Sequence, residues 1–239
     1  MSKISTENRP PPAPPRVVAI SGMIFASLYI ASLVFARLAI PADPTEPGAW
    51  LADPTLRSWV RFALNLIAFT GIAFLWFMGV LRNRIGDLED RFFATVFLGS
   101  GLLFVGILFV AAAVSQALLD IFATEGSFPA QSKTYAVSRA MAYSLVNTFA
   151  VKMAAVFIIV TSSIGLRTAV FPRWMAMVGY ALALVMLLII TGFAWIALVF
   201  PSWVLLVSAY ILVTDFRQGC QVATSAEAKA PHEDTVAGD

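Results

Sequence analysis

Residues Phe92–Leu119 read FFATVFLGSGLLFVGILFVAAAVSQALL, a run without a single Asp, Glu, Lys or Arg. A hydrocarbon core about 30 Å thick needs about 20 helical residues at 1.5 Å each, so this run can cross a bilayer with length to spare. A membrane barrel strand would alternate apolar and polar residues over about ten positions, and no such alternation is present. A helix also satisfies its own backbone in lipid, which an isolated strand cannot do. Outward from this stretch, Val17–Ala36, Phe62–Leu81, Ala140–Gly165 and Trp174–Val213 are apolar in the same way. The last run is long enough for two helices. Gly192, Pro201 and Ser202 place a tight hairpin between Phe193 and Ser202. The expected fold is an all-α polytopic membrane helix bundle with six transmembrane helices.

Composition agrees with that reading. Of the 239 residues, 59% are hydrophobic and 13% charged, with a mean hydropathy of +0.83. Soluble domains carry about 25% charge. The net charge of +2 is spread over loops and tails rather than gathered in a stripe, so no nucleic-acid partner is expected. Cys220 and His232 are the only residues of their kinds and follow the last apolar run. This chain alone therefore supplies no disulfide, zinc site or iron–sulfur cluster, and no cofactor is expected.

Three segments are expected. Residues 1–15, with Pro10, Pro11, Pro12, Pro14 and Pro15, form an extended, solvated cytoplasmic arm. Residues 16–217 form the transmembrane domain. Residues 218–239 are small and polar and make a disordered cytoplasmic tail. Lys3, Arg9 and Arg16 before Val17 imitate a secretory signal, but the apolar run exceeds a signal core and no small-residue cleavage site follows. It reads as an uncleaved first span.

Orientation comes from the cations. In a six-span arrangement Lys3, Arg9, Arg16, Arg82, Arg84, Arg91, Arg167, Arg173 and Arg217 share one side, against Arg37, Arg57, Arg61, Lys133 and Arg139 on the other. The richer side reads as cytoplasm and holds both termini. Trp59, Trp174, Trp195 and Trp203 fall near the expected span ends, where indole rings favour the interface.

The fourth span carries the polar residues. Lys152 lies about 20 Å along a helix from both Arg139 and Arg167, near mid-bilayer, where an ammonium costs about 2.5–3.5 kcal/mol. At 100° per residue, Ser144, Thr148 and Lys152 make one row, with Arg139, Tyr143 and Asn147 beside it. Such a face should turn inward, toward Asn65 on the second span and Ser115 or Gln116 on the third. The candidate polar site is thus Lys152, Thr148, Ser144, Asn147, Tyr143 and Asn65. Three readings stay open: interhelical hydrogen bonding alone, a polar cavity for a substrate or anionic headgroup, or a catalytic lysine. No carboxylate lies mid-span to pair with Lys152. The outer arginines Arg37, Arg57, Arg61 and Arg139 either pair with Asp43, Asp53 or Asp120, or capture headgroups. Gly22 with Ala26, Ala150 with Ala154, and Gly179 with Ala183 are spaced for close helix packing. Gly99, Ser100, Gly101 and Gly106 mark either a hinge or a close contact.

The segment Gly86–Gly101, GDLEDRFFATVFLGSG, resembles a signature of uncharacterised bacterial multi-pass membrane proteins, and Phe171-Pro172-Arg173-Trp174 resembles a loop-to-span junction in such proteins. The resemblance implies a bacterial inner (plasma) membrane location and carries no activity. The first functional expectation is a non-catalytic membrane protein, with membrane lipids and a homo-oligomer or membrane-protein partner around it. The alternative is a transporter of a small solute or lipid with a polar interior at Lys152. A membrane-embedded enzyme ranks last, because no intramembrane Asp, Glu, His or Cys is present to act as base, nucleophile or metal ligand.

Overall fold

The computed structural model describes residues 15–41, 48–85, 91–125, 133–167, 172–188 and 195–228, and these are overwhelmingly helical, with no strand among them. The helices are α1 (Pro15–Ala39), α2 (Pro54–Ile85), α3 (Arg91–Glu125), α4 (Lys133–Ser144), α5 (Val151–Arg167), α6 (Arg173–Leu188) and α7 (Val199–Ala228). A π-helical turn, Leu145–Ala150, joins α4 to α5 in one continuous rod. Short 3-10 turns occur at Ala49–Ala52 and Ile196–Leu198.

Among the described residues, five helical stretches are long and apolar enough to cross a membrane: Arg16–Ala39, Pro54–Arg82, Phe92–Thr124, Lys133–Arg167 and Ile196–Arg217. Helix α6, with 16 residues, is apolar but shorter. In the final apolar run α6 is described to Leu188 and the next described residue, Trp195, lies in a turn within the expected hairpin interval. Pro201 and Ser202 belong to α7 rather than to the expected hairpin. Pro201 sits in the first turn of α7, where a missing N–H breaks no helical bond. The α7 helix also runs on to Ala228, past the expected start of an unstructured tail at Gln218. The N-terminal arm, residues 1–14, lies outside the described residues.

Local chemistry explains several helix boundaries and polar positions. Asp53 Oδ1 accepts the Thr55 N–H at 2.7 Å, capping α2, and Pro54 supplies the first helical residue. Within the spans, Thr70, Ser115, Thr161 and Thr214 each donate to the carbonyl four residues earlier, so these hydroxyls need no partner on another helix, whereas Ser163 bonds both to the Ile159 carbonyl and to the Tyr180 hydroxyl of α6. The Ser32 hydroxyl likewise reaches another helix, donating to the Ala63 carbonyl at 2.9 Å and tying α1 to α2.

The centre of the bundle is aromatic. Each long span contributes at least one fully buried ring to it, Phe25 from α1, Phe74 from α2, Phe104 from α3, Phe157 from α5 and Phe200 from α7, with Tyr29 of α1 and Phe97 of α3 buried beside them. Phe74 lies 4.7 Å from Phe25, 5.3 Å from Phe104, 5.2 Å from Phe157 and 5.7 Å from Phe200, centroid to centroid. Tilted and edge-on pairs at these spacings add about 0.5–1.5 kcal/mol each beyond area burial. At 1.5 Å per residue Phe25 stands about 13 Å along the helix from Arg16, and Phe74 about 12 Å from Arg82, so the rings form a plug near mid-span.

Small residues let the helices close around the plug. Gly22, Ala26, Ala150, Ala154, Gly179 and Ala183 are all buried. A Cβ at Gly22 would collide with Ser208 Oγ, and one at Gly179 with Ser162 Oγ. Of the third-span glycines only Gly101 is closely approached, by Met78, whereas Gly99 and Gly106 face open space. Trp59, Trp174 and Trp195 are exposed, but Trp203 is buried against the core. It lies one turn inside α7, on the face that packs inward.

One end of the bundle gathers the ends of several helices. Arg16 at the start of α1 pairs with Asp215 near the end of α7 at 2.7 Å and lies 5.0 Å from the Phe216 ring centroid. At the same end Arg167 stands over Phe93 at 4.5 Å.

Candidate functional site

The opposite end is hollow. A cavity of about 670 Å³ lies between α1, α2, α3 and α4 and continues to the π turn. Its walls hold Ala36, Ala63, Ala111, Ala112, Ala136, Ala140 and Ala142, side chains too short to fill the gap between helices. Leu33, Leu64, Ile67, Leu108 and Val146 make the apolar part of the lining. Arg37, Lys133 and Arg139 line it as well, and the described lining contains no Asp or Glu.

The roof is a separate apolar cluster of Ala39, Trp50, Leu51, Val60, Leu118, Leu119 and Tyr135. Gly48 enters the 3-10 turn with φ of 95°, in the left-handed region, and any Cβ there would press on the Tyr135 ring at 3.0 Å. The Tyr135 hydroxyl accepts from Trp50 Nε1 at 3.1 Å and from Arg139 Nη1 at 2.9 Å. Arg139 Nη2 donates to the Pro41 carbonyl at 2.9 Å, so this guanidinium bridges the ends of α4 and α1. Arg37 is within electrostatic reach of both Arg139 and Tyr143.

The sides are unequal. Helix α1 packs along α2, and α4 packs on α3, but α4 has little contact with α1. Only Tyr135 of α4 is buried, while Ala136, Ala140 and Ser144 are exposed although they also line the cavity. The least packed side of the cavity among the described residues is therefore the one between α1 and α4. In the other direction it stops short of the plug: Ile67 is about 10 Å up α2 from Phe74.

Arginine spacing sets its depth. Arg16 and Arg37 on α1, and Arg82 and Arg61 on α2, are each separated by about 31 Å of helix, close to the ~30 Å hydrocarbon thickness. Arg37 thus stands at the same end of the bundle as Arg61, with the apolar part of the cavity between it and the plug.

The residues singled out from sequence are divided by this geometry. Tyr143, Ser144 and Asn147 line the cavity; Thr148 and Lys152 do not. The reason is the π turn. It places an extra residue between Ser144 and Val151, so the straight row drawn through Ser144, Thr148 and Lys152 at 100° per residue does not persist. Lys152 is half-buried in the first turn of α5 and forms no hydrogen bond or ion pair with a described residue. Asn147 donates to the Tyr143 carbonyl at 3.1 Å, and its Oδ1 is buried without a partner. Ser115 joins the cavity as expected. Asn65 instead is exposed, bonds to the Arg61 carbonyl and lies with Arg61 and Gln116 in a separate shallow groove of about 360 Å³.

The outer arginines do not pair as anticipated with Asp53 or Asp120. Asp53 caps α2 and Asp120 accepts from Gln116, whereas Arg57 donates to the Leu51 carbonyl and lies over Phe122. Asp43 lies outside the described residues. The candidate site read from sequence left out Lys133, and it left out Arg37 and Arg139 although Arg139 was placed beside Tyr143 and Asn147 and both arginines were read as either pairing with carboxylates or capturing headgroups; the usable signal was alanine recurring on four helices at the level of Arg37. The arrangement offers shape, apolar wall and positive charge, with neither a carboxylate nor a histidine in the described lining to carry acid–base chemistry. No group of His, Cys, Asp and Glu suited to a metal occurs among the described residues. Comparison with family models, curated proteins and solved structures finds no match to this chain.

Proposed function

We propose that this chain is a six-crossing protein of a bacterial inner membrane, with both termini cytoplasmic, that takes a hydrophobic molecule from the bilayer into a side-opening cavity without transforming it. The observation that supports the reading is an alanine-walled cavity of about 670 Å³ whose α4 wall has little contact with α1, which we read as a mouth at the level of the hydrocarbon boundary. A mouth in that position meets lipid, and an alanine-lined hollow there has a ready source of apolar occupants. This favours the carrier or transporter expectation over a purely structural role and moves its centre from Lys152 to the cavity.

The even number of crossings rests on the Arg16–Asp215 pair, which puts the start of α1 and the end of α7 at one end. Five long spans alone would separate them. Helix α6 then completes the sixth crossing; its 16 residues span about 24 Å, a mismatch that local thinning of the bilayer accommodates. Reporters fused after Arg84, after Ala169 or at the C-terminus should read cytoplasmic, and those after Glu46 or Glu125 external. An external C-terminus would remove the sixth crossing.

The cavity is tested by filling it. Protein purified in mild detergent should carry about one co-purifying amphiphile per chain by native mass spectrometry, and Ala111→Phe should lose it while remaining folded. Equal occupancy in both forms would show that the molecule sits elsewhere. A second reading, self-association, is favoured by one feature: the groove at Arg61, Asn65 and Gln116 places polar groups on an exposed face of α2 and α3.

A further inference from the structure

We infer that the outer face of α3, with the adjoining edge of α2, is the contact between two copies of this chain, packed about a twofold axis that runs along the bundle. This develops the self-association reading and does not depend on the cavity.

Charge supplies the first argument. The groove between α2 and α3 is lined by Arg61, Asn65 and Gln116, and Asp120 stands one turn beyond Gln116. Arg61 and Asp120 are both exposed. Asp120 accepts from Gln116 Nε2 at 2.9 Å, and the Arg61 side chain forms no hydrogen bond or ion pair with a described residue. The face thus carries both signs without pairing them within the chain. A twofold axis brings each Arg61 to Asp120 of the second copy, and it does so twice, so the face is complementary to itself. An unrelated partner would have to supply both charges in matching positions.

Level supplies the second. Arg61 stands about 20 Å along α2 from Phe74, and Asp120 about 24 Å along α3 from Phe104, two rings in contact at the plug. The offset of about 4 Å lies within the length of an arginine side chain. Two copies inserted in the same direction are related by an axis along the bundle, which keeps every residue at its own level.

Shape supplies the third. Gly99, Gly106, Ala113 and Asp120 recur every seven residues along α3, a spacing at which a helical stripe drifts by only about 20° per repeat. A Cβ at Gly99 or Gly106 would meet nothing within 4 Å, whereas Gly101 is closely approached by Met78. Packing inside the chain therefore explains Gly101 and leaves Gly99 and Gly106 unexplained, although glycine weakens a helix relative to alanine. Small residues on an outer face let a second helix backbone come close. Leu102, Leu103, Phe109 and Val110 stand exposed beside the stripe and supply the rims that such a helix would pack between.

The test uses the labelled full chain in vesicles of phosphatidylethanolamine and phosphatidylglycerol, diluted from about 10³ to about 10⁶ lipids per chain, with single-molecule photobleaching counting copies. Dimers should give way to monomers on dilution. Arg61→Glu or Asp120→Arg alone should weaken the dimer at least about tenfold, and the two together should restore most of the loss. Gly106→Leu should abolish the dimer while the thermal midpoint of the monomer holds or rises, since its new side chain meets open space within the chain. If that variant fails to fold, cross-linking decides: Ala113→Cys in a Cys220→Ser background should form a disulfide-linked dimer, and Met177→Cys, on α6, should not.

Monomers at every dilution would overturn the inference and leave the cavity reading untouched. A dimer indifferent to Gly106→Leu, or cross-linked equally at both positions, would move the contact to another face. Single charge reversals that weaken the dimer without rescue by the combination would overturn the pairing of Arg61 with Asp120.

Discussion

The two halves of this bundle use the same helices in opposite ways. Around mid-span, five rings from five spans fill the axis, and the helices approach closely at Gly22 and Gly179. Two or three turns further along, the same α1, α2 and α3 present alanine, and a volume of about 670 Å³ stays open. Helix packing in lipid gains little from hydrophobicity, since lipid is as apolar as leucine; contact between surfaces decides it. Side-chain size alone therefore determines which half is solid and which is hollow. The α4–α5 rod shows the same contrast in one element. Most of α5 has a buried face, whereas α4 buries only Tyr135, and the π turn lies between them.

The contrast can be broken most forcefully at the plug. Phe74 touches four of the other rings, so Phe74→Ala should cost about 3–5 kcal/mol and lower the thermal midpoint in detergent well below that of any cavity variant. A loss under about 1 kcal/mol would show that the axis is loosely packed. At the roof, Gly48→Ala should cost about 1–2 kcal/mol through its left-handed φ, with more from crowding Tyr135. Its clearest readout is weakened amphiphile retention with the plug intact.

The hollow half should tolerate added bulk. Ala111→Leu places new atoms in open volume and should change stability by less than about 1 kcal/mol, in contrast to the ~1–3 kcal/mol that overpacking costs a dense core. A large loss would mean that the wall at Ala111 has no room. The smallest effect is expected at Lys152. It is half-buried and outside the cavity lining, so Lys152→Met should leave ligand retention unchanged and stability equal or slightly higher. Loss of retention in the Met variant would return Lys152 to the centre of the site.

The membrane class and the long spans were legible because they depend on composition and run length, which Phe92–Leu119 and its counterparts display directly. The paired positions Gly22/Ala26, Ala150/Ala154 and Gly179/Ala183 were legible for the same reason: small residues at helical spacing have one common use. The cavity was not. It is made by alanines on four different helices, and each of them, read singly, looks like an ordinary packing residue. Lys152 attracted attention because an isolated charge stands out in an apolar run, but its direction depends on a π turn that no residue from Leu145 to Ala150 announces. The start of α7 was hidden as well, since Pro201 and Ser202 look like hairpin residues but belong to its first turn.

In genetic terms a π turn is a one-codon insertion that the helix has absorbed without breaking. Removing a single residue between Leu145 and Ala150 would restore α-helical register and swing everything before it by about 100° relative to α5. Tyr143, Ser144 and Arg139 would leave the cavity together, while Phe157 and the rest of α5 kept their places at the plug. The hollow half of this protein could then be rewritten by a deletion of three nucleotides, with the solid half as its unchanged foundation.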